Sequence, residues 1–240
     1  MWSLYRKAIK LFILLMSSGY RRALYHGVAA SVEHEAMLKQ LQCKTVIDVG
    51  ANRGQFALTA RHCFPEAKIL SFEPLRAPRR YFHKVFRNDP RVCLFEVAIG
   101  PLVGNETMHV SKRDDSSSIL PITPMQVALF PGTAEVSLET IAMSTLDKCI
   151  TSKQIEGPAL LKVDVQGFEL EALKGCESLL QNVKYAYIEC SFLELYLGQS
   201  LASDVIGWLA SHGFSLSGIY NPTCNQEGRA VQADLLFIKE

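Results

Sequence analysis

The sequence predicts an α/β protein: a mostly parallel, doubly wound sheet with one antiparallel terminal strand. Three observations predict it. Short β-branched runs alternate with helical stretches from about residue 44 onward, the pattern of a parallel sheet covered on both faces. The first run passes into a glycine-bearing turn that opens a helix (VIDVGANRGQF, 46–56). The last two runs are joined by a linker too short for a parallel crossover, so they must pair antiparallel.

The elements follow in order. Residues 8–16 (AIKLFILLM) are apolar except for Lys10 and are flanked by Arg6, Lys7, Arg21 and Arg22. They fall short of the roughly 20 apolar residues of a membrane-spanning helix. Three readings stay open for them: a helix packed on the domain or a partner subunit, an amphipathic helix on a membrane surface, or a signal segment. No small-x-small cleavage site follows, which speaks against the last. Residues 1–30 are therefore expected to be an amphipathic helical segment, and 31–240 one domain.

Within that domain, 45–49 (TVIDV) reads as a buried parallel strand. Residues 55–63 are expected to be helical, ending before Pro65, and 68–72 form a second strand, followed by a helix through Phe86. Residues 91–99 read as a third strand closed by Gly100-Pro101. A change of texture follows, with 107–110 and 135–140 as a short antiparallel pair. Between them lies a loop rich in Asp, Ser and Pro (114–131), and loops this long inside a domain usually act as lids or binding walls. The alternation then resumes. Strands are expected at 159–165 and 185–189 and helices at 168–180 and 201–211, and strands 214–220 and 233–239 close the chain.

Composition narrows the function. Hydrophobic residues make up 48% and charged residues 20% of 240, enough for a sizeable core. Lys+Arg total 25 against Asp+Glu 24, a balance that offers no basic face to a nucleic acid. The seven cysteines are scattered, with no CxxC pair. That excludes a recognisable disulfide framework or zinc site and predicts a reduced, cytoplasmic protein. No metal is assigned.

The chemistry concentrates at strand ends. In an open α/β sheet, ligands sit beyond the carboxyl ends of the strands, where the turn after Val49 lies. Gly50 and Gly54 let backbone approach a ligand closely, and Asn52 tolerates a left-handed backbone. A dinucleotide fingerprint would need glycine where Asn52 and Gln55 stand, and no Gly-Lys-Ser/Thr of a P-loop is present. Asp48, just before the turn, disfavours pyrophosphate and suits a cationic ligand end, such as the ammonium and sulfonium of S-adenosylmethionine. Glu73, ending the next strand (SFEP), stands about 20 residues on, where a carboxylate accepts from two ribose hydroxyls.

A third group lies in LLKVDVQGFELE (160–171). Lys162 and Asp164, two apart, point to one side of the strand's end, and Glu169 opens the following helix. Glu189 ends the next strand along. A sugar hydroxyl becomes a good nucleophile only on losing its proton, so a base is needed. Asp164 is the first candidate for that base or for orienting the acceptor, with Lys162 tuning it, and Glu169 and Glu189 are second choices. None of the six histidines ends a strand. His62 and His83 read as packing or surface residues, whereas His109 precedes the Ser116–Ser118 loop and is a candidate by position alone.

Taken together these motifs resemble the FkbM-type methyltransferase family. VIDVGANRGQF, FEP, VAIG (97–100), DSSSIL (115–120), Thr145-Leu146-Asp147, LLKVDVQGFELEALKG, Ile188-Glu189 and DLLFI (234–238) follow in the family's order. The resemblance implies a Rossmann-like class I methyltransferase fold, making 31–240 the catalytic domain. It implies S-adenosylmethionine as methyl donor, with Asp48, Gly50, Asn52, Gly54, Phe56, Glu73 and Ala98 around it. It also implies O-methylation of a sugar, glycan or small secondary metabolite. Gln166 stands where many members carry Glu, which speaks against a divalent metal there.

Competing readings are a cofactor-binding but non-catalytic glycan or protein module, a nicotinamide-dependent oxidoreductase, and an amino-directed enzyme. The second lacks the third glycine, and the last lacks its Asn/Asp-Pro-Pro-aromatic motif. Peripheral membrane contact through the N-terminal helix and homo-oligomerisation remain open.

Overall fold

The computed structural model describes residues 2–240, with side chains from residue 8 onward. Two helices, α1 (Trp2–Met16) and α2 (Ser18–Tyr25), precede a 3-10 turn (Val32–His34) and the short α3 (Glu35–Leu38). The sheet begins with β1 (Thr45–Val49), α4 (Gln55–Cys63), β2 (Lys68–Phe72), α5 (Arg76–Phe86) and β3 (Val92–Phe95). Next come β4 (Ala98–Ile99), β5 (Gly104–Ser111), α6 (Pro124–Leu129), β6 (Glu135–Ser144) and α7 (Leu146–Cys149). The chain closes with β7 (Ala159–Val163), α8 (Glu169–Cys176), β8 (Tyr185–Ser191), α9 (Ala202–Ser211), β9 (Phe214–Cys224) and β10 (Ala230–Lys239).

Seven strands form the main sheet in the order β3-β2-β1-β7-β8-β10-β9. Only β10 is reversed, antiparallel to β8 on one side and to β9 on the other. The expected antiparallel terminal strand is thus present, placed one position in from the edge. Alternate residues of β1 feed two cores, as strand geometry requires. Ile47 and Val49 pack with Leu161, Ala172 and Leu173 on one face. Val46 packs with Phe56, Ala57, Phe82 and Leu160 on the other. Burial on both faces accounts for the largely apolar character of β1 and β7, in which Asp48 and Lys162 are the charged exceptions.

The structure corrects the expected third strand over 91–99. Val92–Phe95 joins the main sheet as β3, but Ala98–Ile99 belongs to a second, three-stranded sheet of order β4-β6-β5. The reason is a missing neighbour. β2 ends at Phe72, opposite Phe95, so the chain turns away and Ala98 and Ile99 pair with Met143 and Ser144 instead. The predicted antiparallel pair is β5 and β6, with β5 longer at both ends than expected and β6 extended at its carboxyl end. The predicted 168–180 helix is α8 followed by a tighter 3-10 turn (Glu177–Asn182).

The N-terminal helix packs on the domain by one edge. Leu14 is buried with Tyr20 and Ala23 of α2, while Ile9, Leu11, Phe12, Leu15 and Met16 remain exposed. Among the described residues no helix is long and apolar enough to cross a membrane.

One helical glycine is dictated by packing and another is not. A Cβ on Gly175 of α8 would lie 2.2 Å from the Gly100 carbonyl oxygen, whereas one on Gly207 of α9 would meet nothing. Alanine normally stabilises a helix interior over glycine by about 0.5–1 kcal/mol. We expect Gly207→Ala to gain about that much, and Gly175→Ala to lose about 1–3 kcal/mol through overpacking. Urea unfolding of the two variants checks the opposite signs.

Candidate active site

β1 is flanked by β2 on one side and β7 on the other, so successive connections leave it in opposite directions. This switch point opens a crevice at the carboxyl ends of the strands. A cavity of about 390 Å³ occupies it, within the range of small-molecule sites. Residues of the 114–131 loop, including Asp115, Ser116 and Gln126, form one wall, as expected of a loop that long.

The turn after β1 is built by its neighbours. Gly50 (φ 83°), Asn52 (φ 47°) and Gly54 (φ 90°) are all left-handed. A Cβ on Gly50 would sit 1.9 Å from the Asp164 carbonyl oxygen, and one on Gly54 would enter the Phe86 and Phe82 rings at 2.6 and 2.9 Å. The two glycines are therefore required by chain packing against chain, a reason separate from ligand approach. Gly50 faces the cavity, and Gly54 stands behind it.

Glu73 turns towards this bend. Its Oε2 accepts from the Asn52 amide at 2.9 Å and its Oε1 from the Leu75 amide at 2.7 Å. The side chain lines the cavity. Burial lifts its pKa to about 7, although both backbone amides favour the ionised form. The turn is tied to the cavity wall by Arg53, whose guanidinium pairs with Asp114 at 2.7 Å.

The end of β7 carries the second group. Lys162 is 6% exposed, with its Nζ 3.1 Å from Asp164 Oδ2 and 3.6 Å from Asp48 Oδ1. It also lies over the Phe56 ring, 5.4 Å from the centroid. Burial disfavours its charge, but the two carboxylates outweigh that and hold its pKa above the ordinary lysine value. Asp48 is fully enclosed beneath it, outside the cavity lining, and burial keeps its pKa raised against the pull of Lys162. Asp164 faces the cavity. Burial pushes its pKa up, but Lys162 and a hydrogen bond from Gln166 prevail and leave it below the usual value.

Gln166 is the hub of this group. Held at φ 55°, its Nε2 donates to Asp164 Oδ1 at 2.9 Å and to Glu189 Oε2 at 2.6 Å. Its Oε1 accepts from the Tyr196 hydroxyl at 2.7 Å. Glu189 also accepts from Gln232 at 3.0 Å, and burial together with Asp164 raises its pKa well above the carboxylate range. Glu169 instead closes its own turn, with Oε1 accepting from the Gly167 and Val165 amides at 2.9 and 3.2 Å. Burial raises its pKa to about 7.

Of the residues singled out from the sequence, Gly50, Asn52, Phe56, Glu73, Ala98, Lys162, Asp164 and Glu189 line one cavity. Asp48, Gly54 and Glu169 support it from behind. His109 pairs with Glu135 at 2.6 Å and is not part of the lining. His62 packs against the Tyr20 ring and His83 pairs with Glu96, both in the packing and surface roles expected. Sequence reasoning missed His34, Asn221 and Asp234, which also line the cavity. His34 precedes the first strand in a 3-10 turn, so no strand-end rule could find it. Among the described residues no cluster of His, Cys, Asp and Glu is arranged to hold a metal ion.

Comparison with known proteins agrees with this geometry. Residues 48–216 match the family model of the methyltransferase FkbM domain. The chain is 32% identical over 204 residues to the 2-O-methyltransferase NoeI of Sinorhizobium fredii, covering 80% of this chain and 78% of that protein. It is 32% identical over 145 residues to the hexuronic acid methyltransferase AglP of Haloferax volcanii, covering 59% and 54% of the two chains. A solved Klebsiella pneumoniae structure, described as a candidate O-methyltransferase, shares the fold at a TM-score of 0.50 and 13% identity over 97% of both chains. The seven-stranded sheet with its reversed strand has the class I methyltransferase architecture, and the family model covers the turn, Glu73 and the β7 group: this chain belongs to the FkbM methyltransferase family and is a methyltransferase.

Proposed function

We propose that the protein transfers a methyl group from S-adenosylmethionine to a hydroxyl group of a sugar or glycan. One observation carries this reading. The Glu73 carboxylate is held on the cavity wall against the bend at Asn52, positioned for the two hydroxyls of a ribose. Each of its oxygens uses one acceptor site on a backbone amide and keeps another free, since an ionised carboxylate offers about four. The residues present therefore fit an adenosyl ligand. Phe56 and Ala98 would flank it, and the Gly50 turn and Asp164 would face its charged end.

The donor supplies a methyl group already activated on a cationic sulfur. What remains for the protein is alignment, which can lower a barrier by roughly 7–11 kcal/mol. Lys162 keeps Asp164 ionised, and Asp164 accepts a hydrogen bond from the acceptor hydroxyl and orients its oxygen. Gln166 fixes Asp164 against Glu189, and Glu169 locks the turn on which Gln166 sits. A carbohydrate acceptor is supported by the names of the two relatives. The polar lining of the far half of the cavity, with Gln126, Asn221, Thr223 and Gln232, is suited to hydroxyl groups.

Calorimetry with S-adenosylhomocysteine tests the donor site. Glu73→Ala is expected to weaken binding about 10–100-fold, the range for a lost hydrogen bond to a charged group, with the folded signal intact. Unchanged affinity removes Glu73 from the ribose role. Because the free carboxyl titrates at about 7 and ribose favours its ionised form, wild-type affinity should rise with pH through that value and level off above it. In Glu73→Gln the same titration should be flat.

Transfer of label from methyl-tritiated S-adenosylmethionine to methyl glycosides of hexuronic acids and neutral hexoses tests the reaction. Asp164→Asn should bind S-adenosylhomocysteine within a few-fold of wild type and lose at least about 100-fold in turnover. Full turnover would transfer the orienting role to Glu189.

A further inference from the structure

We propose that His34, backed by Asp234, is the base that takes the acceptor's hydroxyl proton, and that His34, Asn221 and Asp234 form the acceptor half of the cavity. The inference rests on the methyl-transfer reading above and adds to it the acceptor subsite and the proton's destination.

Three observations carry it. The first is backbone strain. The non-glycine residues with left-handed backbone are Asn52, Gln166 and Asn221, and all three line this one cavity. Strain of that kind concentrates at functional sites. Asn52 belongs to the donor turn and Gln166 to the β7 group, and Asn221 sits where β9 bulges against β10, between Tyr220 and Thr223. Its Nδ2 donates to Asp234 Oδ2 at 2.8 Å and lies 3.2 Å from His34 Nδ1.

The second is the arrangement of the imidazole. Nδ1 lies 3.0 Å from the Tyr187 hydroxyl and 3.6 Å from Asp234 Oδ2. Among the described residues Nε2 has no hydrogen-bond partner. The ring is set edge-on to Phe56 at 5.4 Å, and Lys162 Nζ lies 5.4 Å from the same Phe56 ring. His34 thus reaches the cavity opposite the β7 group, with one nitrogen anchored and the other available. A base anchored at its second nitrogen, here by the Tyr187 hydroxyl, with a carboxylate beside it to stabilise the charged ring, is an arrangement that activates hydroxyl nucleophiles.

The third is register. Glu189 of β8 lies directly opposite Asp234 of β10, so the carboxylates of Asp164, Glu189 and Asp234 run along the sheet's end. Lys162 holds Asp164 ionised but weakly basic, and Glu189 is pushed towards its protonated form. Both are also committed within the site, Asp164 to Lys162 and Gln166, and Glu189 to Gln166 and Gln232. Burial lowers the His34 pKa, opposed by Asp234 and Glu33 and assisted by Lys162, so its ring is neutral and ready to accept.

The step balances. The acceptor O–H proton moves to His34 Nε2 as the oxygen bonds to the methyl carbon. The carbon–sulfur bond breaks with its electron pair remaining on sulfur. The products are a methyl ether, S-adenosylhomocysteine and an imidazolium that Asp234 stabilises until it returns the proton to water. His34 and Asp234 both lie outside residues 48–216 that match the family model. The 3-10 turn ahead of the sheet therefore contributes directly to the reaction.

The test uses the full chain, the tritiated donor and the same methyl glycosides. His34→Gln is expected to bind S-adenosylhomocysteine like wild type and to lose about 10²–10⁴-fold in kcat. Its rate should also lose the acid limb of the pH profile. Asp234→Asn should shift that limb to lower pH, because Asp234, together with Glu33 and Asp164, holds the imidazole pKa up against burial and Lys162. A purely structural role would lower the rate without moving the limb. Wild-type transfer with His34→Gln equally active overturns the proposal and leaves the methyl-transfer reading standing, as does an acid limb unmoved in Asp234→Asn. Absence of transfer by wild type to every glycoside, with S-adenosylhomocysteine still bound, overturns the carbohydrate reading and this proposal with it.

Discussion

A lysine ammonium enclosed at the ends of β1 and β7 is the constraint on which the site depends. Removing a charge from water costs several kcal/mol unless partners surround it. Lys162 has Asp48 beneath it and Asp164 above it, one from each of the two central strands or their ends. Asp48 and Lys162 stand opposite each other in the parallel register, so the pair exists only if β1 and β7 are adjacent. The same adjacency brings the Asp164 carbonyl against Gly50 so closely that no side chain fits there. Electrostatics and backbone packing thus specify one arrangement, and that arrangement opens the crevice.

From this centre the carboxylates take different roles through their surroundings alone. Glu73 and Glu169 both accept from backbone amides and are both raised to about 7 by burial, yet one faces the cavity and the other closes a turn behind it. Asp164 and Glu189 share a single amide donor in Gln166 and are driven in opposite directions, one down by a cation and the other up by burial and a neighbouring anion. The row extends to Asp234, which supports an imidazole instead of a lysine.

The fold was legible because its signals are local. Helix α4 and strand β2 coincide with their expected bounds, since a buried parallel strand and a helix stopped by Pro65 leave their periodicity in the sequence. The third strand was misjudged because residues 91–99 are uniformly strand-forming, and only the length of β2 decides where pairing stops. Strand-end reasoning found Glu73, Lys162, Asp164 and Glu189, because a parallel sheet places its chemistry there. It could not separate Glu169 from the lining, since whether a carboxylate faces a cavity or its own turn depends on a rotamer set by neighbours.

The sequence by itself determined the alternation of strands and helices, the glycine turn and the carboxylates that end the strands, because each is encoded within a few consecutive residues. Only the tertiary structure decided that the reversed strand sits inside the sheet and that Gly50 yields to a carbonyl of another strand. It alone brought His34 to Asn221 and Asp234, from a position 187 residues before Asn221. Such contacts arise from how separate elements pack, and no local pattern of residues carries that information.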